Sequence, residues 1–139
     1  MTFVRRSMAA FLVCIAVLAA PLFAQAKTGA KPGDPIVQDR PLSAWIQDLD
    51  GAAPYTRVSA AYAVGSAGAA AKPAVPALIA NLSAESNPVR YSSALALGEI
   101  GPAAADAVPA LQKLLDDRND DIAHIAKKSL KQITGEAVE

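Results

Sequence analysis

The chain has 139 residues, and its 13 basic residues balance its 13 acidic ones. This neutral balance lacks the basic surplus of nucleic-acid-binding domains, so we expect no nucleic-acid partner. A single cysteine excludes an intrachain disulfide and a metal site built of several cysteines.

The N-terminal residues 1–26 are typical of a secretory signal peptide. Two arginines precede an apolar run over residues 8–20, and the small residues Ala24 and Ala26 flank Gln25 in a cleavage pattern. The run is shorter than the roughly 20 apolar residues of a membrane-spanning helix. We therefore expect cleavage after about Ala26, no stable membrane span afterwards, and an exported protein that is periplasmic or extracellular.

Cleavage would also change the composition of the chain. It would remove Arg5, Arg6 and Cys14, leaving 11 basic and 13 acidic residues and no thiol. A slightly acidic product again argues against a nucleic-acid partner. The next residues, 27–40, contain two glycines, two prolines and no helical period, and they predict a flexible linker.

Beyond the linker, the sequence repeats itself at a step of 33 residues. Gly65 falls on Gly98, and AVPALIANL at Ala74 matches AVPALQKLL at Ala107. A unit of this length cannot bury its own apolar face, so copies must stack. The prediction is a repeat domain over residues 41–139, with units at about 41–73, 74–106 and 107–138.

Each unit is predicted to contain two helices. In the middle unit, apolar residues at helical spacing predict a helix over 74–83, and Asn87 as N-cap with Pro88 behind it predicts the start of the second. Gly101 and Pro102 should end that helix. Strand signals are absent, so the predicted fold is all-α, a right-handed solenoid of three helical hairpins. The other helices are expected over 41–50, 54–67, 107–116 and 120–133.

The middle unit, AVPALIANLSAESNPVRYSSALALGEIGPAA, resembles the short bacterial HEAT repeats called phycobilisome-lyase HEAT-like. PLSAWIQDL is similar to the opening of exported bacterial HEAT-repeat proteins. The resemblance spans residues 41–133 and implies a helical solenoid while saying little about activity. The family's name would imply a lyase-like or chaperone-type accessory role, but no residue can be assigned to that chemistry.

The resemblance also implies a role for Arg57 and Arg90, which should bond to a neighbouring repeat. The candidate acceptors are Asp48, Asp50 and Glu85. The third unit departs from this pattern, with Ile122 and Ala123 in place of the valine and arginine and with Lys127 and Lys128 further along. These changes are either a polar cap on the end of the stack or ordinary sequence drift.

No catalytic, cofactor-binding or metal-binding constellation is apparent. His124 is the only histidine, and no Gly-x-Ser-x-Gly motif surrounds any serine that might meet it. Asp120 and His124 could form half of a metal site, but they are better explained as surface residues at a helix N-terminus. Residues 116–121 lack the glycine of a calcium-binding loop and predict a turn. We therefore expect a protein that is not an enzyme.

The repeat allows the outward face of the second helices to be interpreted as columns. Burial is expected at Val89, Ser93, Ala96, Leu97 and Ile100. The outward columns are then Val58, Tyr91, His124 and Tyr62, Leu95, Lys128. These residues could bind a partner protein or peptide, with tyrosines as anchors, or the tyrosines could simply pack between repeats. The predicted function is a protein-interaction or scaffold module, with a purely structural envelope role as an alternative.

Overall fold

The computed structural model describes residues 31–136, so the predicted signal peptide lies outside the described residues. A short β-hairpin precedes three helical pairs; two 3₁₀ helices connect the pairs and a third lies within the last pair. The 3₁₀ helices are Gly68–Ala74, Gly101–Ala107 and Leu114–Asp116. The other elements are β1 (Ile36–Val37), β2 (Arg40–Pro41), α1 (Leu42–Asp48), α2 (Pro54–Ser66), α3 (Val75–Asn81), α4 (Asn87–Ile100), α5 (Val108–Lys113) and α6 (Asp120–Thr134). The predicted all-α solenoid is confirmed.

Prolines and glycines set the boundaries of the helices. A proline occupies the first or second position of α2, α3, α4 and α5, where its missing N–H costs no helical hydrogen bond. Gly68 and Gly101, one repeat apart, have φ of 57° and 72°, a region that glycine enters without strain. The chain therefore leaves α2 and α4 by the same turn, and both connections continue as a 3₁₀ helix.

The second helices of the three pairs pack side by side through small residues. Gly65 on α2 faces Ala96 on α4, and a Cβ placed on Gly65 would lie 3.1 Å from the Cα of Ala96. One repeat later, a Cβ on Gly98 would lie 3.0 Å from the Cα of Ser129 on α6. These distances leave no room for a side chain, so the repeated glycine reflects close helix approach.

The core runs continuously through the three pairs. The residues predicted to be buried on α4 are buried, and Val89, Ser93 and Leu97 are completely inaccessible to solvent. The larger buried side chains come from every pair and include Leu42, Leu49, Leu78, Leu97, Leu111, Ile122 and Leu130. No pair has a core of its own, as expected for stacked repeats.

The start of α4 differs from the sequence prediction. Asn87 was the expected N-cap, but the N-cap is Ser86, which makes no side-chain capping bond. The Asn87 side chain instead accepts a 2.7 Å hydrogen bond from the Nη2 of Arg90. Its side-chain oxygen therefore holds a guanidinium rather than the backbone of the first turn.

Residues 31–40 correct the prediction of a flexible linker over 27–40. β1 pairs antiparallel with β2, and the indole N–H of Trp45 on α1 donates a 2.9 Å hydrogen bond to the Val37 carbonyl. The Arg40 guanidinium lies 4.1 Å from the centre of the Trp45 ring and 2.9 Å from Asp48. This segment is held against the first repeat by contacts with α1, so it is part of the folded domain.

Candidate functional site

A groove of about 520 Å³ crosses the second helices of all three repeats. Tyr62 comes from α2, Tyr91 from α4 and His124 from α6, so each repeat contributes at least one side chain. The full lining is Val58, Tyr62, Asn87, Pro88, Tyr91, Asn119, Asp121, Ile122, His124 and Ile125. A groove of this size is large enough for a few residues of a peptide.

The structure brings together one predicted column and part of the other. All of Val58, Tyr91 and His124 line the groove, and Tyr62 from the second column joins them. Leu95 is half-buried and packs against the core, and Lys128 is exposed. Neither Leu95 nor Lys128 is among the residues that line the groove.

The two tyrosines of the groove have different environments. Tyr62 is 46% exposed, so nearly half of its surface is free to contact another molecule. Tyr91 is half-buried and packs against the hydrophobic core while one side lines the groove. Tyr91 therefore packs within the fold, as one of the two interpretations of the tyrosines expects, and it also lines the groove, where a partner could contact it.

Polar groups that the columns did not include also line the groove. Asn119 is the N-cap of α6, where its side-chain oxygen accepts bonds of 3.0 Å and 3.3 Å from the backbone N–H groups of Asp121 and Ile122. Asn87 uses its oxygen on Arg90. Among the described residues, the side-chain NH₂ groups of Asn87 and Asn119 have no acceptor, so both can donate to a bound chain. Asn119 stands directly before the helix predicted over 120–133, and asparagine is a favoured N-cap residue, a signal that could have identified it.

Arg90 connects the second repeat to the third. Its Nε and Nη2 donate hydrogen bonds of 2.9 Å and 3.2 Å to the two carboxylate oxygens of Asp117, a side-on pair. Its Nη1 donates to the backbone carbonyls of Ala84 and Glu85 at 2.8 Å and 3.0 Å. The carboxylate acceptor is therefore Asp117 and not one of the three proposed from the sequence, and Glu85 contributes only its backbone.

The Arg90 guanidinium lowers the pKa of the Asp117 carboxyl below its usual value. The hydrogen bonds from Arg90 are the largest cause, and the backbone N–H of Asn119, 2.9 Å away, acts in the same direction. Burial acts against them, because only 8% of the Asp117 side chain is exposed. The carboxylate of Asp117 therefore stays ionised in the folded protein to lower pH than that of a free aspartate.

Arg57 connects the first repeat to the second by neutral groups. Its Nη1 donates a 3.2 Å hydrogen bond to the side-chain oxygen of Asn81, and the NH₂ of Asn81 donates a 2.9 Å bond to the Leu49 carbonyl. Asn81 is almost completely buried, with 6% of its surface exposed. The proposed acceptor Asp48 instead pairs with Arg40.

Some of the residues considered for metal binding or catalysis make local hydrogen bonds within the fold. Over residues 31–136, no group of three or more histidine, cysteine, aspartate or glutamate side chains could hold a metal ion. Asp117 and Asn119 organise the predicted turn at 116–121. Ser92 and Ser129 are buried, and their hydroxyls donate to the backbone carbonyls of Val89 and Ala94.

The exposed surface of α6 differs from that of the second helix before it. Lys127 and Lys128 are exposed, whereas their equivalents on α4 are the buried Ala94 and the half-buried Leu95. The segment Asn87–Asp116 is long and apolar enough to cross a membrane by length and composition, but half of that window is buried inside the protein. Many of its apolar side chains are core residues of this fold, so no membrane span is inferred from it.

Stacked helical pairs whose second helices form one continuous grooved face define an α-solenoid repeat protein. A family model described as HEAT repeats matches residues 42–131, about two thirds of the chain. The chain therefore belongs to the HEAT-repeat family. HEAT repeats generally mediate protein–protein interactions or act as scaffolds, and such proteins are generally not catalytic. A search of the curated proteins finds no match to this chain.

Proposed function

We propose that this protein is a non-catalytic interaction module whose groove binds an exposed segment of a partner protein. The observation that carries the proposal is the composition of the groove, to which α2, α4 and α6 all contribute. A surface that every repeat helps to build is the normal binding surface of a solenoid.

The chemistry of the groove suits a peptide chain better than a small metabolite. Tyr62 and Tyr91 offer aromatic faces, and such rings supply much of the energy at protein interfaces. The free NH₂ groups of Asn87 and Asn119 can donate to the backbone carbonyls of a bound segment. Apolar anchors combined with backbone-directed donors favour a peptide without requiring one particular sequence.

We further propose that the protein acts outside the cytoplasm, in the cell envelope or in the medium. Support comes from the arginines, apolar run and small-x-small end of residues 1–26. N-terminal sequencing of the protein recovered from the exported fraction should begin at Lys27. Recovery from the cytoplasm with Met1 intact would contradict this location without affecting the groove.

Site-specific cross-linking tests the groove directly. A photo-reactive amino acid replaces His124, which lines the groove, or Gln112, an exposed residue of α5 that does not. We expect a discrete cross-linked partner from position 124 and none from position 112. Introducing Tyr62→Ala should remove that product, whereas Tyr55→Ala should not, because Tyr55 is 81% exposed and lies outside the groove lining.

Two results would contradict binding in the groove. One is an identical set of products from positions 124 and 112, which would fit a structural role with no dedicated binding face. The other is a product at position 124 that survives Tyr62→Ala together with Tyr91→Ala in a protein that still unfolds cooperatively. A coloured cofactor in the purified protein would instead favour the accessory role in lyase chemistry.

A further inference from the structure

The two interfaces between repeats use equivalent arginines in different ways. Arg90 and Arg57 occupy the same position, one repeat apart. At the second interface, the Nε of Arg90 donates a 2.9 Å hydrogen bond to Asp117. At the first interface, the residue equivalent to Asp117 is Ala84, whose side chain has no acceptor. The carboxylate that completes one interface is therefore missing from the other.

The Nε atoms of the two arginines differ in whether they have a hydrogen-bond partner. The Nε of Arg57 is buried and has no hydrogen-bond partner in the described part of the chain. Arg57 keeps a single bond, from its Nη1 to Asn81 at 3.2 Å. Leaving a charged donor buried and unbonded is costly, because it loses water and gains nothing in return. The guanidinium thus retains unused donors on the side where Arg90 holds a carboxylate.

A cavity of about 630 Å³ lies against this guanidinium. It occupies the loop between α3 and α4, where Ala84 stands in place of an aspartate. The lining consists of Pro54, Arg57, Ser83, Ala84, Glu85 and Ser86. Two serine residues add possible hydroxyl donors, and the small side chain of Ala84 leaves room for an incoming group.

We infer that Arg57 is a receptor for a carboxylate supplied by another molecule, either an Asp or Glu side chain or a C-terminal carboxylate of a protein. The ligand takes the place at Arg57 that the Asp117 carboxylate holds at Arg90, and a small shift of the Arg57 side chain opens the Nε to it. Guanidinium and carboxylate match as a planar two-bond pair. This site is separate from the tyrosine-lined groove and does not require it.

The carboxylate of Glu85 lies near the proposed site and should weaken the binding of a second carboxylate there. Glu85 lines the same cavity, but it forms no ion pair with Arg57, since the ion pairs found among the described residues are Arg40 with Asp48 and Arg90 with Asp117. Its exposed negative charge should repel an incoming carboxylate. Replacing Glu85 by Gln should therefore tighten binding, by up to about five-fold for a solvent-screened charge.

The test follows the side-chain Nε–H resonances of arginine by NMR in the purified protein, with the Arg57 resonance assigned by its loss in Arg57→Lys. The probes are an acetylated, amidated tripeptide Ala-Glu-Ala, its Ala-Gln-Ala counterpart, an acetylated tri-alanine with a free C-terminus, and inorganic phosphate. We expect a saturable shift of the Arg57 resonance with a carboxylate probe and none with Ala-Gln-Ala. The Arg90 resonance, already paired, is the internal reference. The side-chain and C-terminal probes distinguish the two sources of carboxylate.

A carboxylate introduced by substitution at Ala84 provides the second part of the test. Ala84→Asp introduces the equivalent of Asp117, so it should shift the Arg57 resonance without any probe and abolish the response to carboxylates. The inference is overturned if no carboxylate probe gives a saturable shift in the wild type, if phosphate binds more tightly than both carboxylates, or if Ala84→Asp leaves the response unchanged. It is also overturned if Glu85→Gln alone moves the Arg57 resonance and the probes still fail, because Glu85 would then be the resident partner. The groove proposal survives each of these results.

Discussion

Gly98 on α4 lies directly against Ser129 on α6, and the Ser129 hydroxyl donates a 2.7 Å hydrogen bond to the nearby carbonyl of Ala94. The contact combines close backbone approach with a buried polar bond between neighbouring repeats. Gly65 faces Ala96 in the same way one repeat earlier, without the hydroxyl. The spacing between second helices is therefore set by glycine at both interfaces, and the groove depends on that spacing.

Replacing Gly98 by Ala should destabilise the protein by about 1–3 kcal/mol. Alanine normally stabilises a helix relative to glycine by about 1 kcal/mol, so the expected sign is reversed. The reason is that the new methyl would lie 3.0 Å from the Cα of Ser129. Urea denaturation measures the change, with Lys127→Ala on the exposed face of α6 as a control expected to change little. A more stable Gly98→Ala protein would show that the helices can separate at no cost.

The ion pair between Arg90 and Asp117 should be a major contributor to stability. Both side chains are largely buried, at 14% and 8% exposure, and the pair joins the second and third repeats. Asp117→Asn keeps the size of the side chain but removes the charge, and it should lower the free energy of unfolding by about 1.5–3 kcal/mol. The neighbouring Asp116→Asn is the matched control, because Asp116 is exposed. Equal effects of the two substitutions in urea denaturation would contradict a special role for Asp117.

The same pair should make stability depend on pH in the acid range. The pKa of Asp117 is lower in the folded protein than in the unfolded chain, because Arg90 binds the ionised carboxylate. The ionised Asp117 carboxylate therefore stabilises the folded state fully at pH values above the pKa of aspartate in the unfolded chain, about 3.9. This stabilisation is lost as the pH falls through the lower pKa that Asp117 has in the folded protein. The difference in unfolding free energy between the wild type and Asp117→Asn should be constant near neutrality and shrink below about pH 4. A difference that stays constant to pH 2 would contradict this linkage.

The sequence predicted those parts of the structure that recur at equivalent positions in successive repeats. Val58, Tyr91 and His124 share a groove because residues one repeat apart occupy the same helical position. Asp117 could not be predicted in this way, since its equivalent is Ala84 and only the folded chain brings the carboxylate to Arg90. Contacts made once in a repeat protein leave no periodic signal.

The N-terminal hairpin was missed for a different physical reason. Its turn passes through Gln38 and Asp39 at φ of 48° and 61°, positions that tight hairpins usually give to glycine or asparagine. One of its anchors is the bond from the Trp45 indole, in the first repeat, to the carbonyl of Val37, which lies before the repeats and has no equivalent in them. Without a turn signal or a periodic partner, residues 27–40 resembled a linker in composition.

Truncation distinguishes a folded hairpin from a linker. A chain beginning at residue 41 loses the hairpin, the bond from Trp45 to Val37 and the bonds of 3.3 Å and 3.4 Å from the Ser43 backbone N–H to the Asp34 carboxylate. It should be less stable than a chain beginning at residue 31 by on the order of 2 kcal/mol, since several partly buried hydrogen bonds disappear together.

The fluorescence of Trp45 provides a second measurement of the effect of removing the hairpin. Without the hairpin, the ring loses both the Val37 carbonyl and the Arg40 guanidinium that lies 4.1 Å from its centre. Its emission should shift to longer wavelength, because water replaces both contacts. Arg40→Ala in the longer chain is the matched control: it removes the cation but leaves the Val37 bond, so it should give a smaller shift. Identical stability and emission for the two truncated chains would show that residues 31–40 behave as a tether after all.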